Sequence, residues 1–398
     1  MNDSIVLLSK DILMPGYLPT YGNKFWKTPN IDELAAKGTV FYRHYTAAPS
    51  TAMAFTSMFT KKYPYQLDRR NYIHVDDLSD TETLFDELEK QGYENHVVWS
   101  KNYLTVALPF SNCYGSDKTI FHNLDLNQVV GPHFNHDANI VRNDETARKT
   151  VDSILTTIDE VANRNGKVFL WIHLPHVLLG RTSYGDDMDL FDDIVEHLRH
   201  KFGDENIFIT ADHGNMNGIR GKFGYGFDVY ESAIRIPLIT PKLENVKNVE
   251  FPTSNCRLRD IMINRVVPKD EYVISDCAYY AQPNRKLAII KDDFKYIYNK
   301  ASQTEELYDL VYDPNETVNL ISKNHFDTDR RVSYHKCDIY FYPRWNQVDS
   351  VYIQLKRIKD EIWRVGTWKE EVLSRWKQKL SIPYHKIQRR IALIKEKR

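Results

Sequence analysis

At 398 residues the chain is long enough for one large core or two domains, so burial does not limit its stability. A formal net charge of -1 excludes bulk electrostatic attraction to nucleic acid, and aromatic residues are plentiful, with 25 Tyr, 18 Phe and 7 Trp. The four cysteines (Cys113, Cys256, Cys277, Cys337) have no CxxC spacing and form neither a zinc knuckle nor an evident disulfide framework, which suits a reducing compartment.

Ile5-Val-Leu-Leu8 is an apolar run that Asp11 closes, and it reads as a first strand. It starts so early that no signal peptide is expected, and no apolar run approaches the roughly 20 residues that span a bilayer. The expectation is a soluble, cytoplasmic protein. Met14 to Gly22 is loop chemistry, and Thr28-Pro-Asn-Ile-Asp-Glu-Leu-Ala-Ala-Lys-Gly38 carries helix start and stop signals. Thr39-Val-Phe-Tyr42 then reads as a strand. Pro49, Ser50 and Thr51 signal the start of a helix over Ala52–Thr60. A hydroxyl at that position is either an N-cap or a nucleophile whose target group sits on the free N–H groups of the first turn.

Val168–Leu174 is another apolar run, with His173 inside it as a structural residue and His176 just past its end. Asp187–Lys201 carries Leu190, Ile194 and Leu198 on one helical stripe. Ile207-Phe-Ile-Thr-Ala-Asp-His-Gly214 then reads as a strand buried on both faces, ending in an acid, an imidazole and a glycine. Carboxyl ends of strands are where open α/β sheets bind ligands, and an Asp212-His213 pair there offers oxygen and nitrogen to a divalent cation. The alternative is a surface turn in which Asp212 caps a helix.

Residues 246–321 alternate short apolar runs (Tyr272-Val-Ile-Ser, Leu287-Ala-Ile-Ile, Lys295-Tyr-Ile-Tyr) with turns, and read as a small antiparallel sheet with a helix near Arg257–Ile263. Beyond them, Val351, Leu355, Ile358, Ile362, Val365, Val372 and Trp376 form a helical stripe, and Pro383 breaks it. Residues 356–398 hold 14 Lys/Arg against 5 Asp/Glu, a local +9. The stripe packs on the core or a second subunit. Alternatively its basic face, with Trp363, Trp368 and Trp376, makes peripheral membrane contact.

Seven segments, in order, resemble the sulfatase branch of the alkaline phosphatase superfamily. They are the first strand with its acid, "TPNIDELAAKG", "TLFDELEKQGY", "FLWIHLPH", "TADHG", "GKFGYGFDVYESAIRIPLI" and "ELYDLVYDPNETVNL". The resemblance covers roughly residues 4–320. It departs where sulfatases carry a Cys or Ser that is matured to formylglycine, in a motif with Pro and Arg. Here the stretch is Thr51-Ala-Met-Ala-Phe55, and threonine cannot be matured to that aldehyde. Of the lysine and histidine that follow "GY" in sulfatases, only Lys101 has a counterpart, displaced by one position. Ser50–Phe59 is more similar to phosphoethanolamine and phosphoglycerol transferases, which use a threonine nucleophile.

The resemblance implies an α/β fold with a mostly parallel central sheet and helices on both faces. A catalytic core over 1–245 and a small C-terminal antiparallel subdomain over 246–321 follow, while residues 322–398 fall outside the resemblance and read as a basic helical extension. It implies Thr51 as nucleophile, Asp11, Thr51, Asp212 and His213 as metal ligands, and His176 and Lys222 as substrate-binding groups. Arg69 and Arg70 are not singled out by spacing. Mixed N/O ligands suit one Zn²⁺ or Mn²⁺ ion, with Ca²⁺ less favoured. The expected function is a metal-dependent phosphotransferase or phosphodiesterase acting on a small-molecule or glycan phosphate ester, with surface-polysaccharide modification as the setting that analogy suggests. The alternatives are an atypical sulfatase or phosphonate-type hydrolase, and a retired binder of anionic sugars. A homo-oligomer is compatible with the apolar tail.

Overall fold

The computed structural model describes residues 4–66, 81–99, 119–124, 144–175, 187–277, 285–321 and 343–363. His176, Lys101, Arg69, Arg70 and the tail beyond Trp363 lie outside them.

In chain order the elements of the first layer are β1 (Ile5–Lys10), α1 (Pro29–Lys37), β2 (Thr39–Tyr45), α2 (Thr51–Thr60), α3 (Leu84–Lys90), β3 (Tyr93–Trp99), β4 (Ile120–Asn123), α4 (Asp144–Ala162), β5 (Lys167–Leu174), α5 (Met188–Phe202), β6 (Ile207–Ala211), β7 (Arg235–Thr240), β8 (Asn248–Val249), β9 (Thr253–Ser254) and α6 (Leu258–Asn264). The strands form one sheet in the order β4-β3-β5-β1-β6-β7-β2-β8, with β9 also on β2. Its centre is parallel: β1 lies between β5 and β6, with every β1 residue buried. Strand β7 enters antiparallel between β6 and β2.

Alternation along the strands divides the core into two faces. Val6, Leu8, Leu170, Ile172 and Ile209 face α1, α4 and α5, while Ile5, Leu7, Phe169, Trp171 and Phe208 face α2, α3 and α6. All ten residues of α2 are buried, so this helix lies wholly inside the core on the second face of the large sheet. Its two interior threonines return their hydroxyls to the helix, Thr56 Oγ1 to the Ala52 carbonyl at 2.7 Å and Thr60 Oγ1 to that of Thr56 at 2.6 Å. Phe55 and Phe59 anchor it on Trp171, at centroid distances of 4.7 and 4.9 Å. Each such ring contributes roughly 1.5–3 kcal/mol by burial.

A second sheet follows, β10 (Val273–Asp276), β11 (Lys286–Lys291), β12 (Phe294–Asn299) and β13 (Thr304–Asp309), antiparallel throughout. One face packs on Met216, Val229, Tyr230 and Ile234 beside the first layer, and the other on α7 (Trp345–Ile362). Strands β8 and β9 and helix α6 belong with the large sheet, so that layer extends past residue 245 to about residue 264.

Helix α7 carries the first half of the predicted apolar stripe. Leu355 is buried, and Val351, Ile358 and Ile362 pack with it on the small sheet. Trp363 is buried too, its ring 6.0 Å from that of Tyr298 and 4.9 Å from the Arg285 guanidinium, so it serves packing rather than an external surface. No helix among the described residues is long and apolar enough to cross a membrane.

Candidate active site

Register assembles the site. Lys10 pairs with Ala211 at the carboxyl ends of β1 and β6, so the next residues, Asp11 and Asp212, emerge side by side. The chain turns sharply after Asp11. Ile12 takes φ 61°, a conformation that β-branched residues rarely adopt, and its N–H reaches Asp212 Oδ1 at 3.3 Å. His213 N–H donates to the same oxygen at 2.8 Å. Gly214 is required because a Cβ there would lie 2.0 Å from the Ser232 carbonyl oxygen.

The threonine comes from helix α2, on one face of the same sheet. Ser50 is the N-cap of α2 in an extended conformation, without a side-chain cap hydrogen bond, and Thr51 is the first helical residue. Thr51 is therefore not spent on capping. Its Oγ1 lies 3.1 Å from His213 Nε2. The loop before it is held by Asn255, a buried residue to which the sequence assigns nothing. Its Oδ1 accepts from Ala47 N–H at 2.9 Å, and its Nδ2 donates to Thr46 Oγ1 and the Ala54 carbonyl at 3.2 Å each. The Asp276 N–H of the small sheet also donates to the Ala47 carbonyl, at 2.8 Å.

Nδ1 of His213 lies 2.9 Å from the Gly214 carbonyl oxygen. That oxygen can only accept, so Nδ1 carries a proton, and Nε2 is the ring nitrogen that faces Thr51. Nε2 is also 3.3 Å from Asp212 Oδ2 and 3.7 Å from Asp11 Oδ1. One ligand atom from each of Asp11, Asp212 and His213 lies within 4.8 Å of the others, and all three residues are buried. Burial, with the Asp11 charge adding and His213 opposing, pushes the Asp212 carboxyl up to about 6. Its Oδ2 has no hydrogen-bond partner among the described residues. Two buried carboxylates with one oxygen unsatisfied and an imidazole nitrogen beside them suit one divalent cation.

His173, read as structural from the sequence, sits directly behind the site. Its Nδ1 is 3.0 Å from Ser9 Oγ, which accepts from Trp171 Nε1 at 2.9 Å. The ring packs between Phe55 and Trp99 at 4.8 and 4.6 Å. Burial lowers its pKa to about 3, against the pull of Asp11, so it is a neutral imidazole. Tyr225 stacks on the His213 ring at 4.4 Å. Lys222 engages Asp228 at 2.5 Å and is not part of the Asp11, Asp212 and His213 cluster. A cleft of about 330 Å³ between α4 and α5 shares no residue with the site.

Comparison with known proteins follows this geometry. The sulfatase family model matches residues 3–241. An arylsulfatase of Clostridium perfringens is 21% identical, with 84% of this chain and 93% of that protein covered. A putative sulfatase from Bacteroides thetaiotaomicron shares the fold with TM-score 0.65 at 14% identity, covering 91% of this chain and 92% of that one. The phosphonate monoester hydrolase of Agrobacterium radiobacter does so with TM-score 0.60 at 14% identity, covering 91% and 96%.

Proposed function

The chain belongs to the sulfatase family, and from that premise we propose that it is a divalent-cation-dependent enzyme that cleaves a phosphate or phosphonate ester through attack by Thr51. The observation that carries this reading is the Thr51 hydroxyl, 3.1 Å from His213 Nε2, at the N-terminus of a wholly buried helix. Threonine can serve as a nucleophile directly, whereas formylglycine must be made from cysteine or serine.

Asp11, Asp212 and His213 would hold the cation, with Thr51 Oγ1 as a further oxygen ligand. The ion would supply Lewis-acid stabilisation of charge on the transferred group and favour the alkoxide of the threonine. The nitrogen ligand favours Zn²⁺ or Mn²⁺ over Ca²⁺. Thr51 Oγ1 forms the bond to phosphorus as the bond to the leaving oxygen breaks, and the threonine proton ends on the departing alcohol. The first-turn N–H groups of α2 face the transferred group's oxygens. Water then attacks phosphothreonine and restores the hydroxyl. An acceptor alcohol in place of water makes the same site a transferase. Lys222 is assigned to the substrate's anionic group, and His176 to its oxygens.

A second reading, sulfate-ester hydrolysis, is favoured by the arylsulfatase relative, which spans most of the chain. Metal analysis with turnover of 4-nitrophenyl phosphate, bis(4-nitrophenyl) phosphate, 4-nitrophenyl phenylphosphonate and 4-nitrophenyl sulfate decides between the two. Turnover of phosphorus esters, with phosphothreonine at position 51 trapped for mass spectrometry, is expected. Turnover of the sulfate alone would replace this reading with the second.

A further inference from the structure

Asp228 is fully buried yet carries two ammonium groups. Its Oδ1 accepts from Val229 N–H at 3.1 Å and from Lys286 Nζ at 2.7 Å. Its Oδ2 accepts from Lys286 Nζ at 2.7 Å and from Lys222 Nζ at 2.5 Å. The two lysines differ in setting. The Lys286 side chain, on β11 of the small sheet, is 10% exposed, whereas that of Lys222 is 39% exposed. Both ammonium groups also lie over the Tyr230 ring, at 5.4 and 5.7 Å from its centroid.

The loop that carries Lys222 is tightly wound. Gly218, Gly221, Gly224 and Gly226 all take positive φ, and the Gly218 N–H to Lys222 carbonyl and Met216 N–H to Gly224 carbonyl bonds close it at 2.8 and 3.0 Å. Three residues after Lys222, Tyr225 lies on the His213 ring. Lys222 is thus a half-buried cation on the loop that borders the Asp11, Asp212 and His213 cluster, tied to a carboxylate that has a second, buried counter-ion.

We propose that Lys286 is a positioning residue. It neutralises Asp228, so that Lys222 can leave that carboxylate and pair with the anionic group of the substrate. This rests on the reading of Lys222 as an anion-binding group. The physical reason is the cost of an unpaired buried charge. With Lys286 present, the departure of Lys222 leaves Asp228 bound to one ammonium and one N–H. Without Lys286, the same departure strands a buried carboxylate, at a cost of the kind that makes broken buried pairs strongly unfavourable. Lys222 is then locked in place. The small sheet thereby acts on the site through Asp228 without touching the substrate.

The test is titration calorimetry of the full chain with inorganic phosphate at low ionic strength, together with KM for 4-nitrophenyl phosphate and melting temperatures. Lys222→Met should weaken phosphate binding on the order of tenfold, the worth of a charged hydrogen bond. Lys286→Met should weaken it comparably, although Lys222 is intact. The double variant Lys286→Met/Asp228→Asn should return to within about threefold of the unmodified protein, because no charge remains to hold Lys222. A merely structural role for Lys286 would leave the double variant as weak as Lys222→Met, and that result overturns the proposal even where Lys286→Met alone does not fold. So does wild-type phosphate affinity in folded Lys286→Met, or no phosphate binding by the unmodified protein. Phosphate binding with the expected pattern but no turnover of any ester would sink the proposed function and leave this inference standing.

Discussion

Two sets of buried acids lie on either side of the junction between the sheets, and they are treated in opposite ways. Where the small sheet meets the large one, Asp276 is fully buried and engaged by both Nε and Nη2 of Arg285, itself 1% exposed, and the loop residue Asp228 holds two lysines. At the strand ends of the large sheet, Asp11 and Asp212 converge on each other and on the His213 imidazole, with Asp212 Oδ2 unsatisfied among the described residues. A buried acid with a dedicated protein cation is architecture. Two buried acids sharing a point with an imidazole nitrogen are a place for an external cation. The difference lies in the balance of charge, since burial is the same in both places.

The largest effect should come from breaking the second set at its chemistry. Thr51→Ala removes the attacking oxygen but leaves two carboxylates and an imidazole. Turnover should fall by at least about a thousandfold, with metal content by atomic emission largely unchanged. Full activity in that variant would mean that water attacks directly or that the nucleophile lies elsewhere.

One substitution made in both regions sharpens the comparison. Asp276→Asn should destabilise the protein by about 3–5 kcal/mol in urea unfolding, since Arg285 loses the carboxylate that neutralises it. Asp212→Asn should do the reverse in chelator-treated protein, leaving stability unchanged or raised, because a repulsive carboxylate is removed. In the unmodified protein a divalent cation at 100 times its dissociation constant should add about 2.7 kcal/mol, and Asp212→Asn should abolish that gain. Equal destabilisation by the two substitutions would show that Asp212 too is architecture.

Much of this contrast could be read from the sequence and some could not, for a physical reason. An apolar run that ends in an acid is a local pattern, so Asp11, Asp212 and His213 were visible as candidates, and Thr51 was visible through its helix-start setting. The mostly parallel sheet with helices on both faces is likewise as expected. Pairings across long separations leave no local trace. Lys286 and Asp228 are 58 positions apart, and Asn255 and Thr46 are 209 apart. His173 looked structural because its strand is uniformly apolar, and only register with Ser9 brings its ring behind Asp11. A lone acid in an otherwise apolar stretch of loop, such as Asp228 between Phe227 and Val229, is the signal that a buried counter-ion exists elsewhere. The sequence cannot say where it is.

The smallest effect expected is a pH dependence confined to the junction. Lys295, fully buried, meets Glu316 Oε1 at 2.8 Å and Glu231 Oε1 at 3.1 Å, and Glu316 Oε2 accepts the Glu231 N–H at 2.7 Å. Two acids thus share one ammonium. Burial first, with Glu231 adding and Lys295 opposing, pushes the Glu316 carboxyl up to about 7. An unfolded glutamate titrates near ~4.3, so the folded protein binds this proton more tightly than the unfolded chain does. The ionised form therefore carries a penalty that is fully present above pH 7, and it is relieved as pH falls from about 7 towards about 4.5. Other carboxylates titrate at the lower end of that window, so the informative quantity is the difference from Glu316→Gln. Relative to that variant, the unmodified protein should gain about 1–3 kcal/mol between pH 8 and pH 5 in urea unfolding. A difference that stays flat with pH would mean that Lys295 keeps Glu316 ionised throughout, making this acid a fully paired member of the first set.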